Sequence, residues 1–242
     1  MKKGCTKLRY EAIIFDVSDT LIEYSPNYAQ IFGDRLRSLG FTISEEKARE
    51  VSKAVNMTIC VQSQKEQEGE PHISEEELNK LLDTSALSCI MNNDIDISNC
   101  VKKLESMKLP KQEMNVIQGV FEVLDILKKK YRLAIVSNHY AWLNDYLNSI
   151  GLSQYFESII ISENVGVAKP SIKIMQIALK ELSIDAKKCL YVGDQPFDVL
   201  CSKRAGMDCA WIAPDNISLP SSIIYKEDYK ISKLSDLLTI LY

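Results

Sequence analysis

The feature that most narrows the possible folds is a recurring short apolar run. Ala12-Ile13-Ile14-Phe15 is apolar throughout and is closed by Asp16. Similar runs return at 133–136, 159–161, 190–192 and 209–212. Unbroken apolar segments of this length suit strands buried on both faces, as in a parallel sheet. Helical periodicity lies between them. Val120, Val123, Leu124 and Leu127 share one face of 120–130, and 142–150 and 172–182 behave alike. Gly151 and Gly206 stand where two of these helices should stop. Strand–helix alternation from about residue 117 onward predicts an α/β fold with a doubly wound, mainly parallel sheet.

Residues 24–112 follow another rule. They carry no strand pattern but helical patterns at 28–39, 45–61, 75–91 and 97–107. Ser74-Glu75-Glu76-Glu77 is a capping box that opens the third. Residues 62–71 are polar and read as a connection, with a solvated His72 beside it. The organisation expected is a core of 1–23 and 113–242 with a helical insertion, 24–112, between its first two strands.

Composition removes several function classes. The 29 basic side chains are scattered and outnumbered by 33 acidic ones, giving a net charge of −4, so no nucleic-acid groove is indicated. No apolar run approaches the roughly 18 residues needed to cross a bilayer, so no membrane partner is expected. Met1-Lys2-Lys3-Gly4 resembles the start of a signal peptide, but the apolar run after it is too short to continue one. The seven cysteines form no C-x-x-C pair, and their odd count fits reduced, mostly buried thiols in a cytoplasmic protein.

Four segments could carry chemistry, and each follows an apolar run. In open α/β sheets the carboxyl ends of strands are where ligands bind. Asp16-Val17-Ser18-Asp19-Thr20 follows the first strand. A carboxylate there can serve as nucleophile or metal ligand, and Thr20 can hydrogen-bond the loop and fix its shape; a simple Asp-rich turn gives the same residues. Ser137-Asn138 offers a hydroxyl and a main-chain N–H to a phosphoryl oxygen, though the pair is also ordinary loop chemistry. Lys169-Pro170 places a cation beside a helix start, with Pro170 suited to the first helical position; a solvated surface lysine is the bland alternative. Gly193-Asp194-Gln195-Pro196-Phe197-Asp198 sets two acids four apart across a strand-to-helix turn. Such a pair can share a hard cation such as Mg²⁺, or it can cap the helix and complement its dipole.

The order of these segments resembles the four motifs of the haloacid dehalogenase superfamily. The likeness covers 11–23 and about 117–213, and 24–112 resembles the helical cap that one large subgroup inserts after the first motif. The resemblance implies a Rossmann-like core and a phosphatase acting on a small phosphorylated metabolite, as a monomer or homodimer. It makes Asp16 the nucleophile that forms an aspartyl-phosphate. Ser137, Asn138, Lys169 and Thr20 would bind the phosphoryl group, with Lys169 steadying Asp16. Mg²⁺ would be held by Asp16, the main-chain carbonyl of Ser18, Asp194 and, directly or through water, Asp198.

One position departs from that pattern. Phosphatases of the superfamily usually carry a second Asp two residues after the nucleophile, and here the residue is Ser18. A serine hydroxyl cannot serve unaided as a general acid or base near neutral pH, and losing such a group costs about 10²–10⁴ in rate. Asp19, in place of the usual glycine, or a cap residue would have to substitute. Two alternatives follow: a catalytically weak member that binds a phosphorylated ligand or a protein, and a 2-haloacid dehalogenase. The Asp194/Asp198 pair opposes the second, because displacing halide needs no metal cradle. His139 is a candidate to face the cap or to bond locally. Tyr24 and Tyr28 are candidates for the substrate entrance or for hinge packing, and Trp142 and Trp211 for core or helix packing.

Overall fold

A computed structural model describes residues 9–67, 71, 73–91, 97–107, 110–213, 218–219 and 223–242. The elements in chain order are as follows. Strand β1 (Ala12–Phe15) ends at Asp16, and β2 (Ile22–Ser25) follows. Four helices come next: α1 (Tyr28–Ser38), α2 (Glu45–Gln67), α3 (Glu75–Ser88) and α4 (Ile97–Glu105). Strand β3 (Glu113–Val116) pairs with β2. Then come α5 (Val120–Leu127), β4 (Arg132–Ser137), α6 (Leu143–Ser149), β5 (Ser158–Ile161), α7 (Ser162–Val165), α8 (Ile172–Leu182) and β6 (Cys189–Gly193). The chain finishes with α9 (Pro196–Arg204), β7 (Asp208–Ile212), β8 (Tyr229–Ile231) and α10 (Leu237–Leu241).

The chain divides into two compact units, 1–22 with 116–242, and 23–115. In the first unit six strands form one sheet in the order β5-β4-β1-β6-β7-β8, and all five pairings are parallel. All four residues of β1 are buried, as expected for a strand covered on both faces. On one face Ala12, Ile14, Val136 and Tyr191 pack against Ile174, Met175 and Ala178 of α8 and Val199 of α9. The doubly wound parallel core is therefore as the apolar runs require. Helices α6 and α9 are followed by left-handed Gly151 and Gly206. Strand order reverses at β1, which has β4 on one side and β6 on the other. The crevice at such a switch point lies over the strands' carboxyl ends.

The second unit has its own core. Phe32 and Leu36 of α1, Val51 and Val55 of α2, Leu82, Ala86 and Leu87 of α3, and Val101 and Leu104 of α4 form one buried cluster. Arg35 forks onto the buried Asp83 at 2.5 and 2.9 Å and also donates to Leu104 O at 2.8 Å, which ties α1, α3 and α4 together. The capping box of α3 is present, with Ser74 N donating to Glu77 Oε2 at 2.8 Å and Glu77 N to Ser74 Oγ at 3.2 Å.

Several local expectations are corrected. Helix α2 runs on to Gln67, six residues into the expected connection; residues 68–70 and His72 lie outside the described residues. Tyr24 and Ser25 belong to a strand, in a region read as purely helical, because a four-residue, half-exposed strand shows too little periodicity. Edge strand β8 escapes for the same reason. Pro170 is not the first helical residue: α8 begins at Ile172 and Ser171 is its N-cap. Trp142 is 46% exposed and so is no core residue, whereas Trp211 is buried. Tyr28 packs along α1 against Phe32. Cys89, Cys100, Cys189, Cys201 and Cys209 are free thiols; Cys5 and the side chain of Cys60 lie outside the described residues. Among the described residues no helix is long and apolar enough to cross a membrane.

Candidate active site

The site is built where β1, β4 and β6 end side by side. Asp16 extends β1 by one residue, its N–H donating to Val192 O of β6 at 2.9 Å, and its side chain is buried. The turn after it is shaped by main-chain bonds: Leu21 N and Ile22 N donate to Val17 O at 2.8 and 3.0 Å, and Asp19 N to Ile22 O at 2.7 Å. Asp19 adopts φ +54°, a left-handed conformation that Asp tolerates and Gly adopts freely. This explains how Asp can stand where the family pattern has glycine. Asp19 is exposed and Ser18 half-buried. Thr20 does not fix the turn as expected: its Oγ1 is buried without a hydrogen-bond partner, because main-chain bonds already close the loop.

Lys169 is the centre of the arrangement. It is wholly buried, and its Nζ lies 2.9 Å from Asp16 Oδ1, 2.8 Å from Asp198 Oδ1 and 2.9 Å from Tyr191 Oη. An ammonium has three donors, and three oxygens face it here. The approach to Asp16 is at ion-pair distance but off hydrogen-bond alignment, so that oxygen keeps accepting capacity. Burial alone would pull the Lys169 pKa down; Asp16 and Asp198 outweigh it and hold the group above the ordinary lysine range. The charged side chain is therefore internal, not a solvated surface lysine.

Asp198 is wholly buried in the first turn of α9. Its Oδ2 accepts from Gln195 N at 3.0 Å, while Oδ1 takes Lys169 and lies 3.3 Å from Tyr191 Oη. Burial pushes its carboxyl up to about 6, against the pull of Lys169. Gly193 is required by this fold-back. A Cβ on it would lie 2.6 Å from Asp198 Cγ and 2.9 Å from Asp198 Cβ. Asp194 keeps Oδ1 buried and unpartnered, Oδ2 accepts from Gln195 Nε2, and its main-chain oxygen accepts from Trp211 Nε1 at 2.8 Å. Burial, then the neighbouring Asp198 and Asp16, raise the Asp194 pKa well above the carboxylate range.

Ser137 closes β4, buried, with an unpartnered Oγ. Asn138 does something its place in the sequence does not announce. Its side chain clamps the Lys169 main chain from both ends, Oδ1 accepting from Lys169 N at 2.7 Å and Nδ2 donating to Lys169 O at 2.8 Å. Tyr191 and Trp211 are likewise parts that sequence reading misses. The one available signal is a Tyr inside an otherwise apolar buried strand, since a buried hydroxyl needs a partner. His139 bonds locally, its Nδ1 accepting from Tyr140 N at 2.9 Å.

Carboxylate oxygens of Asp16, Asp194 and Asp198 lie within 4.8 Å of one another. Burial and mutual repulsion raise the Asp194 pKa, and a divalent cation at this cluster would favour its ionised form. Asp194 Oδ1 is buried without a hydrogen bond, and Asp16 Oδ1 is met by Lys169 at ion-pair distance but off hydrogen-bond alignment, so the cluster fits a hard cation.

Several known proteins are similar to this chain. Pyrophosphatase PpaX of Bacillus velezensis is 33% identical over 125 residues, 51% of this chain and 58% of that protein. Pyrimidine 5'-nucleotidase YjjG of Escherichia coli is 32% identical over 110 residues, 44% of this chain and 49% of that protein. The matches thus span about half the length of these two relatives. The structure of the putative HAD-hydrolase YfnB from Bacillus subtilis, bound to magnesium, superposes with a TM-score of 0.62 at 22% identity, covering 96% of this chain and 99% of that one. The family model described as haloacid dehalogenase-like hydrolase matches residues 13–212, and the chain belongs to that family.

Proposed function

We propose that the chain is a Mg²⁺-dependent phosphatase of small phosphorylated metabolites, working through an aspartyl-phosphate on Asp16. One observation carries this reading. Buried side-chain oxygens of Asp16, Thr20, Ser137 and Asp194 have no hydrogen-bond partner, and they follow or end the neighbouring strands β1, β4 and β6. Buried polar atoms are rarely left so, and here they form a set suited to a phosphoryl group and a cation. The phosphate-releasing activities named for PpaX and YjjG, and the magnesium in the YfnB structure, point the same way.

In this reading Asp16 attacks phosphorus, and the ester bond breaks with its electron pair passing to the leaving oxygen. Water then attacks the aspartyl-phosphate, releasing phosphate and restoring the carboxylate. Ser137 Oγ and the Asn138 N–H hold phosphoryl oxygens, with Thr20 Oγ1 supporting them, and Lys169 screens Asp16 from the phosphate. Asp16, Asp194 and the Ser18 carbonyl would hold Mg²⁺, with Asp198 supporting it directly or through water. Bound there, the cation supplies charge neutralisation to the transferring phosphoryl group. Residues 24–112 act as the cap that selects the substrate.

The test is phosphate release from a panel of esters with and without Mg²⁺, in wild type and Asp16→Asn. Metal-dependent release that is abolished in the variant supports the reading. Unchanged turnover in Asp16→Asn sinks the nucleophile. A second reading, a phospho-ligand-binding member with little turnover, is favoured by Ser18, which brings no carboxylate to the leaving group; ligand binding without release would establish it.

A further inference from the structure

The strand end that carries Ser137 runs directly into three aromatic residues, His139, Tyr140 and Trp142. Tyr140 is 66% exposed and Trp142 46%. Single exposed apolar residues are ordinary; two large exposed rings within three residues, in the loop that leaves the Ser137 strand end, are not. The His139 and Trp142 rings meet edge to face with centroids 4.6 Å apart, so the indole is held in place and not loose on the surface.

The loop beneath them is pinned. His139 N donates to Ser162 Oγ at 3.0 Å, Ser162 Oγ lies 3.2 Å from His139 O, and Ala141 N donates to Glu163 Oε2 at 2.5 Å. Ordering these rings therefore costs little on binding. Burial keeps the His139 pKa below its ordinary value, so at neutral pH the imidazole is an uncharged ring. Two residues of chain span at most about 7 Å, so His139 stays next to Ser137, whose buried hydroxyl is unpartnered.

We propose that His139, Tyr140 and Trp142 form a stacking shelf for the leaving group, and that the substrate class is a phosphate monoester carrying an aromatic or heteroaromatic ring. This rests on the phosphatase reading, since it needs the phosphoryl group seated at Ser137. The ring then lies on the shelf with a spacer of sugar size between the two.

The test compares kcat/KM for nucleoside 5'-monophosphates and phenyl phosphate with that for glycerol 3-phosphate and phosphoglycolate. It uses the full chain, wild type and Tyr140→Ala/Trp142→Ala. The ring-bearing esters are expected to lead by about tenfold or more, the scale of base–aromatic stacking. In the variant that ratio falls toward one, through a rise in KM for the ring-bearing esters. Equal kcat/KM for both classes in the wild type, or a ratio unmoved in the variant, overturns the shelf and leaves the phosphatase reading standing. A second readout is tryptophan emission, with Trp142→Phe as control against Trp211. Saturable quenching of Trp142 by a nucleoside 5'-monophosphate, and none by inorganic phosphate, supports the shelf even if no ester is hydrolysed. No quenching together with no ring preference rejects it.

Discussion

The ammonium of Lys169 lies 2.8 Å from Asp198 Oδ1, and neither side chain is more than 1% exposed. A buried pair of this kind contributes little net stability, but breaking it is costly because one charge is left unpaired. Lys169→Met strands both Asp16 and Asp198. It is expected to lower unfolding stability by about 3–5 kcal/mol in urea titrations at pH 7 and to abolish turnover. The double variant Lys169→Met/Asp198→Asn should recover part of the stability and none of the activity. Additive losses in the double variant would show that the pair is not coupled.

Tyr191 of β6 joins that pair to β4, across β1, its hydroxyl lying 3.0 Å from Val136 O and 2.9 Å from Lys169 Nζ. Tyr191→Phe keeps the packing and removes these contacts together with the one to Asp198 Oδ1 at 3.3 Å. The expected cost is about 1–3 kcal/mol in stability, with kcat lowered and KM for a phosphate ester within about twofold. A rise in KM at unchanged kcat would contradict the positioning of Lys169 by this hydroxyl.

Gly193→Ala places a methyl group where Asp198 folds back. The carboxylate must swing away, losing Gln195 N and Lys169 together. Overpacking of this kind costs about 1–3 kcal/mol. The thermal stabilisation conferred by Mg²⁺ should weaken in the same variant. Identical magnesium-dependent Tm shifts in wild type and variant would show that Asp198 does not support the cation site.

Ser18→Asp restores the carboxylate that the family pattern has two residues after the nucleophile. If proton transfer to the leaving oxygen limits turnover, phosphate release should rise about tenfold or more. No gain would assign that role to Asp19 or to the helical unit.

Burial pushes the thiols of Cys189 and Cys201 up to about 12 and raises Cys209 as well. Only the thiolate reacts with an alkylating agent. At pH 8 these three should stay unlabelled by iodoacetamide in the native chain while the half-buried Cys100 is labelled before them, and all should react in urea. Peptide-level mass spectrometry reads the order, and early labelling of Cys189 would contradict the burial.

The core of the fold was legible because its determinants are local. Continuous apolar runs at 12–15, 133–136, 159–161, 190–192 and 209–212 each became a strand of the parallel sheet, and stop signals such as Gly151 and Gly206 sit where helices end. Strands β2, β3 and β8 were not legible, since three or four half-exposed residues carry too little periodicity to separate them from loops. The same limit applies to Asp16, Ser137, Lys169, Asp194 and Asp198. Their order along the chain singled them out, but whether Lys169 is a solvated cation or a buried one depends on residues 22 to 153 positions away in sequence. Only the sheet order, with β1 between β4 and β6, brings Asp16, Tyr191 and Asp198 around one ammonium. The clamp of Asn138 on Lys169 and the fold-back of Asp198 onto Gly193 arise from that packing. Sequence alone determined which residues end the strands; the tertiary structure decided which of their atoms are paired and which are left for a ligand.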